Sequence, residues 1–108
     1  MEIKINVEGV ENKVTLKPNF RAEIIFEEAL QKSFTGANTS EWIFHMYATL
    51  LANTNDTFME FADFTDWLSA NPLSFYEYID EYAEYQKKIL ELREKQRKSK
   101  KKSNTKGK

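Results

Sequence analysis

The chain has 108 residues, 41% of them hydrophobic and 14% aromatic, which is ample for one domain with a real core. Cysteine is absent, excluding a disulfide framework and any thiolate metal site, and three Gly with two Pro argue against a loop-rich or low-complexity fold. The net charge of −1 hides a division: residues 93–108 hold nine Lys or Arg against Glu94 alone, net +8, so the rest of the chain carries −9.

Met1 leads into the polar alternation EIKINVEG, with no basic segment followed by an apolar run, so no secretory signal is expected, and no lipid-anchor motif occurs. Ile3, Ile5 and Val7 alternate with Glu2, Lys4 and Asn6, and Val14 and Leu16 repeat the period beyond EGVEN. This predicts a β-hairpin over 2–17 with one buried face and a turn from Glu8 to Asn12, longer than the two-residue type. A lone hairpin is marginal, so a helix should cover it.

Pro18 ends the second strand, and Asn19 caps a helix expected over 20–33. Ala22, Ile25, Phe26, Ala29 and Leu30 share its apolar face, which is expected to lie across the hairpin. Phe20 and Ile24 fall toward the charged side. They either close on the strand entry as a hydrophobic staple does or meet a second subunit.

After a connector containing Gly36, Thr39 or Ser40 caps a helix over 40–53. Its stretch WIFHMYATLL is apolar almost all round, which predicts a central buried helix; it is too short for a membrane span. The narrow polar stripe Glu41, His45, Thr49 is expected to face solvent, with Glu41 and His45 one turn apart as a surface ion pair.

Thr57 to Glu60 has the spacing of a capping box and opens a short helix over 58–70, with Phe58, Phe61, Phe64 and Leu68 on one face. Trp67 lies off that stripe, as a lid or an exposed aromatic. Asn71-Pro72 marks the next boundary, with Asn71 as cap and Pro72 at the first helical position. The last helix, 72–95, has an apolar arc wider than one packing partner requires, including an edge of Tyr78, Tyr85, Ile89 and Leu92 with Tyr82 beside it. Apolar residues stop after Leu92, so residues 93–108 are expected to be a disordered basic tail. The class is α+β, mainly α: a hairpin and about four helices.

Nothing in this pattern calls for catalysis. His45 is the single histidine, so no two-histidine zinc site can form within one chain, and no phosphate-binding glycine loop or EF-hand is present. Pairs such as Asp63 with Asp66 and Asp80 with Glu84 suit solvated helix faces. The lysine tail invites a nucleic-acid reading, but the body is acidic and the tail has no aromatic residue to stack a base. No enzyme activity, cofactor or metal is expected.

The order of elements, with FRAEIIFEEALQKSF after the hairpin and FMEFADFTDWLSANP before the last helix, resembles the tail assembly chaperones of long-tailed bacteriophages over roughly residues 1–92. The motifs that carry the likeness are Phe20, Arg21, Ala22, Phe26, Glu27 and Glu28, then Asp66, Trp67, Leu68, Asn71 and Pro72. The long hairpin turn and the lysine-rich end depart from the family. The resemblance implies a non-enzymatic assembly factor of the host cytoplasm, phage- or prophage-encoded, that binds the tape measure protein, recruits tail tube subunits and is absent from the mature virion. It also implies a longer form made by programmed frameshift, for which the run Lys100-Lys101-Lys102 offers a coding reason. The expected partner surface is Tyr78, Tyr82, Tyr85, Ile89 and Leu92 with Trp67, flanked by Glu77, Glu81 and Glu84, unless a homo-oligomer or the other helices cover that edge. A nucleic-acid-binding accessory protein and a generic helical adaptor are the alternatives.

Overall fold

The structure, a computed structural model, describes residues 1–106, with the side chains of residues 1–99. Strands β1 (Glu2–Val7) and β2 (Val10–Thr15) pair antiparallel, with Ile3 opposite Val14 and Val7 opposite Val10. Helices α1 (Phe20–Leu30), α2 (Thr39–Ala52), α3 (Phe61–Ala70) and α4 (Pro72–Lys106) follow, so the hairpin-plus-four-helices architecture is as expected.

The hairpin turn is tighter than the sequence suggested. Glu8 and Gly9 alone form it, at φ 51° and 80°. Two successive positive φ values match the right-handed twist of the strands, and Gly9 adopts its value without strain. Val10 to Asn12, expected in the turn, are therefore strand residues.

The inner face of the hairpin, Ile3, Ile5, Val14 and Leu16, is buried as its alternation required. It packs into one cluster with Met46, Tyr47, Leu50 and Leu51 of α2, Phe64 and Leu68 of α3, and Tyr78 of α4. Helix α1 reaches this cluster through the half-buried Ile25 but lies chiefly on α2, where Phe26 meets Phe44 and His45 at centroid distances of 5.9 and 5.7 Å. The rest of the hairpin's cover comes from α2, α3 and α4, and the Trp67 indole N–H donates to the Lys4 carbonyl at 2.9 Å, engaging the outer edge of β1.

Helix starts follow side-chain chemistry. The Asn19 side chain accepts from the Ala22 N–H, as expected, whereas α2 is capped by Asn38, which accepts from the Glu41 N–H, and not by Thr39 or Ser40. Helix α1 stops at Leu30 because Gln31 turns left-handed at φ 56°. Thr57 makes no capping box: its N–H and hydroxyl both go to the Asn55 side chain, and α3 begins later, after an extended Glu60. The Asn71 side chain closes α3, donating to the Trp67 carbonyl, and does not cap α4.

Helix α4 runs past the expected end near residue 95. Residues 93–99, expected without order, continue it, because Lys, Arg, Glu and Gln are strong helix formers and the packed first half supplies the nucleus. Every described side chain from Leu90 to Ser99 is exposed. The expectation of disorder for the far end of the tail falls on residues whose side chains or placement lie outside those described. The long axis of the molecule is 64 Å against 28 and 23 Å across. Among the described residues no helix is long and apolar enough to cross a membrane.

Candidate functional site

The polar stripe of α2 does not face solvent; it faces inward. Glu41 is 3% exposed and His45 and Thr49 are fully buried. The reason is that polar partners wait on neighbouring elements. His45 Nε2 lies 2.7 Å from Glu23 Oε1 on α1, and His45 Nδ1 lies 2.6 Å from Tyr78 Oη on α4. The Tyr78 oxygen is also 2.6 Å from Thr49 Oγ1, whose hydroxyl donates to the His45 carbonyl. Tyr82 donates to the same Glu23 oxygen at 3.1 Å and accepts from the Gln86 amide.

A carboxylate only accepts, so the Glu23 contact assigns a proton to Nε2. The Tyr78 hydroxyl has a single proton for its two 2.6 Å contacts, His45 Nδ1 and Thr49 Oγ1, so it donates to one of them and accepts from the other. Phe34 stacks on the imidazole at 4.0 Å, and Tyr82 stands edge-on at 4.7 Å. Burial drives the Tyr78 and Tyr82 phenols well above their ordinary range, with the nearby Glu23 carboxylate adding to the effect.

Glu41 was expected to pair with His45 and does not. It accepts from the Thr35 and Gly36 N–H groups, the Thr35 hydroxyl and the Lys32 ammonium. The Thr35 N–H is the largest cause holding its carboxyl down at about 2, against the opposing effect of burial. Glu41 thereby fastens the α1–α2 connector onto α2. Gly36 makes the fit possible: its φ is 70°, and a Cβ there would sit 3.3 Å from the Trp42 ring.

A carboxylate, an imidazole and hydroxyls in sequence have the order of a proton relay. Here the relay is closed over. His45, Thr49 and Tyr78 are completely buried, so a nucleophile activated at this point would have no substrate within reach. What the network does is join α1, α2 and α4 through one ring. Among the described residues no group of three or more His, Asp or Glu is placed to hold a metal ion.

The expected partner surface is divided by the fold. Tyr78 and Tyr82 are interior, at 0% and 9% exposure, which removes them from any surface. The wide arc of α4 is explained by two packing partners, the core on one side and Phe34 with Trp42 on the other. Tyr85 and Ile89 are half-buried and Leu92 is exposed. Glu77 and Glu84 are exposed, but Glu81 is engaged by the Met1 ammonium at 3.0 Å. Trp67 stacks on Phe64 and lids the hairpin edge. Asp63 and Asp66 are exposed as expected, along an open cleft shared with Glu8 and Glu60.

A second surface was not anticipated. Where α2, α3 and α4 converge, Ile43, Leu68, Pro72, Phe75 and Tyr76 line a groove of about 280 Å³ with no charged residue in its wall. Tyr76 is 62% exposed, and Leu73, next to Pro72, is 74% exposed. The available signal was that Leu73 and Tyr76 lie three apart at the start of α4, off the buried arc. No protein-family model, curated protein or solved structure matches this chain.

Proposed function

We propose that the chain is a non-enzymatic tail assembly chaperone of a long-tailed phage, which holds an amphipathic helix of the tape measure protein and brings tail tube subunits to it. The observation that carries this reading is the uncharged groove between α2, α3 and α4, lined by the exposed Tyr76, with Leu73 exposed beside the lining Pro72. An apolar helix face needs such a groove, and shape without fixed charges accepts varied sequences. The likeness in the order of elements over residues 1–92 supports the same reading. Carboxylates that remain exposed, Glu77, Asp80 and Glu84, keep this region soluble and favour a client with basic flanks.

The test is co-purification from cells expressing this chain with the tape measure protein encoded beside it. Leu73→Asp and Tyr76→Asp should release the client while leaving the circular dichroism spectrum unchanged, since both side chains are exposed. Retained client in both variants would rule the groove out. A gene neighbourhood with no tail tube or tape measure gene would overturn the reading as a whole.

A further inference from the structure

Two apolar faces remain uncovered outside that groove. One is on α1, where Phe20 and Ile24 are 71% and 51% exposed one turn apart. The other is on α4, where Leu92 is 61% exposed and Ile89, one turn before it, is half-buried; Leu90, 57% exposed, lies on the opposite side of that helix. Tyr78, Tyr82, Tyr85, Ile89 and Leu92 recur at alternating steps of four and three, the spacing of a helix–helix seam. The first two are spent inside the domain; Tyr85 and Ile89 stay half-buried, and the seam reaches solvent at Leu92.

The flanks of the two faces differ in sign. Lys88, Arg93 and Lys95 border the α4 seam. Glu27 and Glu28 lie one turn beyond Ile24 on α1, and the basic side chains on either side of them, Arg21 and Lys32, are engaged by Asp56 at 3.3 Å and by Glu41 at 3.0 Å. Within one molecule Phe20, Ile24 and Leu92 are all exposed, so they do not cover each other.

We propose that these faces meet between two copies of the chain, the α4 extension of one molecule lying on the outer face of α1 of the other. Apolar residues form the seam, and the basic and acidic flanks select this partner and orientation. A closed pair makes the contact twice, each copy giving one helix and receiving the other. This inference does not rest on the chaperone reading, because it uses neither the groove nor a client.

Sedimentation velocity on the full chain should show a concentration-dependent dimer. Ile24→Asp and Leu92→Asp should each raise its dissociation constant by about tenfold or more, with an unchanged circular dichroism spectrum. The absence of cysteine allows a direct placement: mixing the Ile24→Cys chain with the Leu92→Cys chain under mild oxidation should give a mixed disulfide dimer. Substituting Val10→Cys, on an exposed site outside both faces, for either partner should not give one at a comparable rate. A chain that sediments as a monomer at every concentration, a dimer unmoved by both Asp substitutions, or cross-linking no faster than with Val10→Cys would overturn the proposal. Client binding that disappears in Leu92→Asp while the parent chain is monomeric would assign the α4 seam to the client instead, and would overturn it too.

Discussion

His45 Nε2 and Glu23 Oε1 meet at 2.7 Å although the two residues belong to different helices and stand 22 positions apart in the chain. The other nitrogen of the same ring meets Tyr78, 33 positions further on. One imidazole therefore links three helices, and no buried side-chain polar atom among the described residues is left without a partner. Such a network is stabilising only while complete, because each missing member strands its neighbours away from water.

Removing one hydroxyl tests this. Tyr78→Phe keeps the ring and its packing but leaves His45 Nδ1 without its partner and takes one contact from Thr49, at a cost of about 1–3 kcal/mol. His45→Ala adds a cavity and leaves Glu23 with only its Tyr82 contact, and should cost more, roughly 3–5 kcal/mol. Urea unfolding followed by circular dichroism measures both. A Tyr78→Phe chain as stable as its parent would show that the phenol contacts contribute nothing.

Glu41 predicts a particular acid response. Its carboxyl is held at about 2 in the folded chain, below the ordinary glutamate value of about 4.5. The unfolded chain therefore takes up this proton first as the pH falls, and folding loses the contribution of Glu41 between about 4.5 and about 2. Above that window the contribution is complete. Unfolding midpoints measured across it should fall more steeply for the parent chain than for Glu41→Gln, and the two curves should converge at the acid end. Parallel curves would mean that the carboxylate charge has no role in holding Thr35 and Gly36.

The two turn glycines should respond unequally to alanine. Gly9 has φ 80° but open space around it, so Gly9→Ala carries only the backbone cost of about 1–2 kcal/mol. Gly36→Ala carries a similar backbone cost and also drives a methyl against the Trp42 ring at 3.3 Å. Thermal unfolding should rank Gly36→Ala below Gly9→Ala. The reverse order would place the connector, rather than the hairpin tip, at the permissive end.

How much could be read in advance depended on the range of the interaction. The alternation of Ile3, Ile5, Val14 and Leu16, the Asn19 cap and the break at Asn71-Pro72 are local features, and the fold class followed from them. The orientation of α2 was not local. A helix apolar nearly all round offers no contrast to orient it, so its few polar residues were assigned to water. Their partners, Glu23, Thr35 and Tyr78, were invisible until the chain was folded. The same gap displaced the expected partner surface: Tyr78 and Tyr82 looked like contact aromatics because nothing in the spacing of α4 announced a hydroxyl-lined interior. In the turn, Glu-Gly was enough for a two-residue hairpin, and the polar run after it obscured that.

The continuity of α4 changes what a lysine-rich terminus is able to do. A flexible tether samples every direction and offers its charges as a cloud. The first half of α4 is anchored by Tyr78 in the core and by the Tyr82 contact with Glu23, so Arg93, Lys95, Arg97 and Lys98 are carried outward on a rod with a set bearing. Their positions in space are inherited from the packing of a tyrosine some fifteen residues or more away, and a change in the core would swing the whole array.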